Sequence, residues 1–253
     1  MVSSVLWVIG LALESTLLVR SVVGNFLKHY TLFYLYLLSV LLRSASLLAV
    51  YHWWPNFYLS VYWYSQFLNV LLGCALVWEV YKIALSRYPG AARMARNVLP
   101  FLFIFAITRV FVKAWNSPNW IPGRTALETE RDLRIVQGVL LLSLVVLFLY
   151  YAIPLGRNLK GIVGGYSLFV LTSIVHLTLR DYLGDNFQHL WQYIQPFSYV
   201  SVLLVWCVTL WSYAPNPKPE TEPQLQEDYQ SLVRATRRHL NSARAYLHRG
   251  MRP

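Results

Sequence analysis

The chain is predicted to be an all-α integral membrane protein: a bundle of seven transmembrane helices with the N-terminus outside, the C-terminus cytoplasmic and an amphipathic helix in the cytoplasmic tail. Three observations predict it. Of 253 residues, 57% are hydrophobic and only 13% charged, about half the charge of a soluble domain, which carries roughly 25%. The mean hydropathy is +0.42, and a water-soluble fold must still present a polar skin. Finally, the apolar residues fall into seven continuous runs of about 20, the length that crosses a bilayer as a helix. A β-barrel would instead show alternating segments of about ten residues. Disorder needs low hydrophobicity, and a disulfide scaffold needs more than two cysteines.

The runs lie at 3–22, 31–51, 58–81, 98–115, 133–153, 161–180 and 190–213. The first has neither a basic segment before it nor a small-residue cleavage site after it, and is expected to be retained. Orientation follows from Lys and Arg in the short connections. The first, third and fifth connections carry Arg20, Lys28, Lys82, Arg87, Arg93, Arg96, Arg157 and Lys160 with no acidic residue in the loops proper. The second connection, 52–57, has neither Lys nor Arg, and the fourth and sixth are mixed. The odd connections are therefore expected in the cytoplasm. The excess charge of +11 reads as membrane topology and not as nucleic-acid binding. No N-x-S/T sequon occurs, and a bacterial inner membrane is the expected location.

Three regions are expected: a transmembrane domain over 1–214, a proline-rich linker over 215–223 and a basic tail over 224–253. Proline at 215, 217 and 219 favours an extended linker. Beyond it, Leu225, Tyr229, Leu232, Thr236, Leu240, Ala243 and Leu247 recur at helical spacing. Acidic residues precede and arginines follow, matching the helix dipole. Such a helix lies on anionic lipid or docks a protein partner. In the fourth connection, Thr125-Ala126-Leu127-Glu128 reads as a capping box, which starts the fifth helix near 126.

Ionisable groups deep in a bilayer are costly and point to function. Glu14 and Arg43 lie near the middle of the first and second spans. At 1.5 Å per residue they differ in depth by about 6 Å, within reach of an ion pair between adjacent helices. Glu79 is expected to pair with Lys82 three residues on, or with basic residues at the same end. A second group, Gln66, Asn69, Arg109, Gln137, His176 and Gln195, with Ser198, falls in the outer halves of spans three to seven, among many aromatic residues. Polar groups at one depth imply a shared polar interior. Aromatic walls with a few polar groups suit a small ligand entering from outside, with Arg109 as the anion anchor. Cys74 and Cys207 are expected to be packing residues.

No enzyme motif such as H-E-x-x-H, G-x-S-x-G or a Walker loop occurs. A retinal Schiff base needs a buried lysine, and the seventh run has none. No metal-ligand spacing joins the histidines, and no cofactor is expected. The expected function is a non-enzymatic, receptor-like membrane protein that binds a ligand outside and a lipid or partner through its tail. Two alternatives remain: a non-catalytic subunit of a membrane complex, and a small-solute transporter. The latter would pair helices one to three with five to seven around a linker helix. Tyr30-Thr31-Leu32-Phe33 and Tyr166-Ser167-Leu168-Phe169 are the sequence hint of such a 3+1+3 layout.

Overall fold

A computed structural model describes residues 2–86, 88–115, 122–150 and 155–214, together with seven residues between 227 and 238. Side chains are described within these stretches except at 2–4, 89, 91, 94–96, 110–111, 113–115, 122–129 and 180–193. The described residues are helical, without strands. The six α-helices are α1 (Val2–Val23), α2 (Thr31–Trp53), α3 (Tyr58–Ala84), α4 (Pro89–Trp115), α5 (Pro122–Tyr150) and α6 (Arg157–Thr209).

The helix limits follow from local chemistry. After α1 the chain turns at Gly24 and Asn25, with Asn25 left-handed at φ 55°, a conformation asparagine tolerates well. α2 stops at Trp53, one residue before the Trp54-Pro55 pair, because the residue preceding proline disfavours helical geometry. α4 and α5 both begin on proline, whose missing N–H costs nothing in a first turn. α5 therefore starts at Pro122 and not near 126, and the expected capping-box side chains lie outside the described ones.

Among the described residues, five helical stretches are long and apolar enough to cross a membrane: Val5–Val23, Thr31–Trp53, Pro55–Ala84, Glu130–Tyr150 and Arg157–Leu179. Two shorter apolar helices, Asn97–Arg109 and Ile194–Thr209, correspond to the fourth and seventh runs. The sixth run and most of the seventh fall within α6. Its 53 residues would span about 80 Å if straight, yet its ends touch. Asn158 Nδ2 donates to the Thr209 carbonyl at 2.8 Å, and Arg157 Nη2 to the Ser212 carbonyl at 2.9 Å. Deeper in, the rings of Phe169 and Tyr199 are 6.1 Å apart. α6 is therefore a helical hairpin of two antiparallel arms, Arg157–Leu179 and Ile194–Thr209.

The packing closes a ring. α1 lies against α2 and the second arm of α6, α2 against α3, α3 against α5, and α5 against the first arm. α4 sits outside, on α3 and α5. Leaving α4 aside, three helical segments stand on each side of it in the chain. Inside the ring are Phe33, Tyr34, Tyr36, Leu76, Tyr166 and Trp206, all nearly inaccessible. Outward face Val8, Val19, Leu42, Leu68, Phe101, Leu142, Leu149, Leu171 and Val208. A protein surrounded by water rarely exposes so much contiguous apolar surface; lipid is its natural solvent.

One end of the ring is basic. There Arg20 Nε donates to the Trp211 carbonyl at 2.9 Å, and its guanidinium lies 5.5 Å from the Trp211 ring. Arg157 also donates to the Ser212 hydroxyl, and Asn158 Oδ1 accepts from the Ala214 N–H at 2.6 Å. These groups satisfy the carbonyls left open at the end of α6, where cations are favoured. Glu79 does not use Lys82 as its hydrogen-bond partner. Its two oxygens accept from the N–H groups of Leu32 and Phe33 at 3.0 Å each, so α3 caps the N-terminus of α2 with a carboxylate. The linker over 215–223 lies outside the described residues. The seven described positions between 227 and 238 are helical and exposed.

Candidate functional site

The other end of the ring holds a cavity of about 300 Å³. Five helices line it. α1 gives Trp7; α2 gives Tyr36, Val40, Arg43 and Ser44; α3 gives Tyr62, Gln66 and Asn69. α5 gives Glu130 and Arg134, and the arms of α6 give Phe169, Thr172, Ser173, His176 and Leu177, then Gln195, Ser198 and Tyr199. The volume is at the small end of the range for ligand pockets.

Arg134 is the central group. It is 2% exposed, and its guanidinium stacks 4.8 Å from the centre of the Phe169 ring. Its polar contacts are loose. Nη1 reaches Gln137 Oε1 at 3.3 Å and the Tyr166 hydroxyl at 3.5 Å. Nε lies 3.8 Å from Glu130 Oε1 and has no hydrogen-bond partner among the described residues. A buried cation normally demands close, charged partners. The carboxylate nearest to it is already engaged, because Glu130 Oε1 accepts from Gln66 Nε2 at 2.5 Å.

A second cation enters from α2. The Arg43 guanidinium lies 5.0 Å from the centre of the Tyr62 ring, and its Nε has no hydrogen-bond partner among the described residues. Gln66 Oε1 is likewise unpaired. Among the described residues, two guanidinium groups thus share the lining with one carboxylate. Planar guanidinium groups stacked on aromatic rings, with N–H edges unspent, are suited to carboxylate or phosphate oxygens.

The wall behind Arg134 is fixed by hydrogen bonds. Gln137 is fully buried. Its Nε2 donates to the Val70 carbonyl and approaches Cys74 Sγ, both at 3.2 Å, while Tyr166 donates to its Oε1 at 3.1 Å. Tyr166 in turn needs the bare backbone of Gly73, where an added Cβ would fall 2.1 Å from the hydroxyl. On the α2 side, Ser39 donates to Asn69 Oδ1 at 2.6 Å.

The sequence-predicted residues divide. Gln66, Asn69, His176, Gln195 and Ser198 line the cavity, and Gln137 stands behind it. Arg109 does not reach it. Its side chain is 68% exposed on the outlying α4 and pairs with Asp132 at 3.2 Å. The arginines that line the cavity are Arg134 and Arg43 instead. The expected Glu14–Arg43 ion pair is not made either. Glu14 Oε1 accepts from the Tyr199 hydroxyl at 2.5 Å, and Arg43 turns to Tyr62. Similar depth brings two residues to one level, but their direction around each helix decides whether they meet. Cys74 and Cys207 are both free thiols.

Sequence reasoning missed Arg134 and Glu130, which it counted among the mixed charges of a connection. Their signal was present. Glu130, Arg134 and Gln137 stand at i, i+4 and i+7, one face of a helix, running into the apolar stretch. Tyr36, Thr172 and Ser173 carried no comparable sign.

Comparison with protein-family models, curated proteins and solved structures finds no match.

Proposed function

We propose that this chain is a non-enzymatic, receptor-like membrane protein that takes a small anionic ligand into the cavity lined by Arg43 and Arg134. The observation that carries the reading is Arg134, a buried cation whose hydrogen bonds to Gln137 and Tyr166 are long and whose Nε has no hydrogen-bond partner among the described residues, opening on a cavity beside a second, incompletely bonded arginine. A bound anion would supply the missing acceptors at the low dielectric where charge-assisted hydrogen bonds are strong. In this reading all seven apolar segments cross the membrane, with the N-terminus outside a bacterial inner membrane and the C-terminus inside. The basic end then faces the cytoplasm, the cavity opens outward, and the tail meets anionic lipid or a partner.

The test is thermal unfolding of the detergent-purified protein against a panel of small carboxylates and phosphates. A bound anion raises the transition temperature, and the rise grows with the logarithm of ligand concentration above Kd. Arg134→Gln is expected to abolish the rise. Arg43→Gln, at a less buried position, is expected to weaken binding about tenfold, or about 1.4 kcal/mol. A panel that stabilises wild type and both variants equally would refute the site.

A second reading, a small-solute transporter, draws on the position of α4 outside the ring, which leaves three segments on either side of a linker helix. Uptake into proteoliposomes separates the two. A receptor binds without flux and loses its partner when 220–253 are deleted; a transporter moves the ligand and tolerates the deletion.

A further inference from the structure

A second cavity, of about 200 Å³, adjoins the first between α1 and the second arm of α6. The two share Trp7, Ser44, Gln195 and Tyr199. Among its described lining residues, the charged group of the smaller cavity is Glu14. It is 2% exposed and accepts one hydrogen bond, at Oε1 from Tyr199. Its Oε2 has no hydrogen-bond partner among the described residues. An ionised carboxylate has room for about four donors, and at mid-span it cannot turn to bulk water. Gly10, one turn before it, keeps the groove open: a Cβ there would lie no closer than 3.9 Å to Leu203 or Tyr199.

The adjoining cavities are together dipolar. Arginines supply the positive end, Glu14 supplies the negative end, and Tyr199 stands between them. We infer that the ligand is an aminocarboxylate, its carboxylate held by Arg43 and Arg134 and its ammonium group held by Glu14 in the smaller cavity. This rests on the anion-binding reading above and adds the second charge. An ammonium group brings three N–H donors and offers Oε2 the partner it lacks. A buried carboxylate left without a cation is strongly disfavoured, so the same ligand satisfies both ends.

The test compares amino acids with the matching acids that lack the amine: glycine with acetate, and γ-aminobutyrate with butyrate. Binding is read by thermal shift and calorimetry on the full chain. The amine-bearing member of at least one pair is expected to bind about tenfold or more tightly. Glu14→Gln should bring that pair to parity while leaving carboxylate binding intact. Gly10→Leu, which fills the smaller cavity and keeps Glu14, should do the same if Glu14→Gln folds poorly. Arg134→Gln should abolish binding of both members together. Equal affinities within every pair, unchanged by Glu14→Gln, would overturn the inference while leaving the anion site standing. Stabilisation by sodium or potassium alone, lost in Glu14→Gln, would assign the smaller cavity to a metal cation and overturn it too. If no acid or amino acid binds, the anion site fails as well.

Discussion

Glu79 shows how far one side chain departs from its local sequence context. Lys82 is three residues away and of opposite charge, yet the carboxylate reaches across to another helix and takes the N–H groups of Leu32 and Phe33. The partial positive charge and open donors of a helix N-terminus compete well with an exposed lysine. Glu79→Gln keeps one acceptor and loses the charge. It is expected to cost about 1–3 kcal/mol, seen as a lower unfolding temperature with ligand affinity unchanged. Glu14 and Arg43 teach the complementary lesson. Their depth could be read from residue count, because rise per residue is constant. Their partners could not, because each side chain points where its own helix happens to be rotated. Arg134 was overlooked for another reason: in sequence, an arginine near a span end reads as orientation charge, even though it shares a helix face with Glu130 and Gln137.

At the level of elements, composition revealed much. The first three apolar runs match α1, α2 and α3 to within a few residues, since bilayer-length hydrophobic stretches have one stable backbone solution. The close approach of the two arms of α6 was not legible, because it depends on glycines that look like ordinary small residues. Gly165 faces Trp206, whose Nε1 would lie 2.3 Å from an added Cβ; at Gly161 the Thr209 hydroxyl would lie 2.0 Å away. Gly164, beside them in sequence, has nothing within 4 Å. Trp206 is fully buried and has no room to yield. Gly165→Ala is therefore expected to destabilise by about 1–3 kcal/mol through overpacking. Gly164→Ala, at an open helical position, should be neutral or stabilising by up to about 1 kcal/mol. Unfolding of the two variants side by side measures the difference.

At the scale of the whole molecule, the ends of the ring differ in chemistry. One gathers Arg20, Lys28, Lys82, Arg157 and Lys160; the other gathers aromatic rings and the cavity. The proposed orientation makes a direct forecast. Reporters fused after 54 should be active only outside the membrane, and reporters after 86 only inside. The opposite result would place the cavity on the cytoplasmic side and reverse the direction of ligand entry. Moving four lysines or arginines from the first and third connections into the second should weaken or invert the insertion.

The polar clamp at the end of α6 also has a mechanical meaning. Arg20, Arg157 and Asn158 hold the carbonyls of Thr209, Trp211 and Ser212 to α1 and to the first arm. Tension applied to the tail must therefore pass through these few short bonds before it reaches the apolar packing above. Drawn from its C-terminus by a probe tip or by a processive protease, the chain should resist first at this lock and then yield the second arm. That arm carries Gln195, Ser198 and Tyr199, so the first segment surrendered to force would dismantle both cavities.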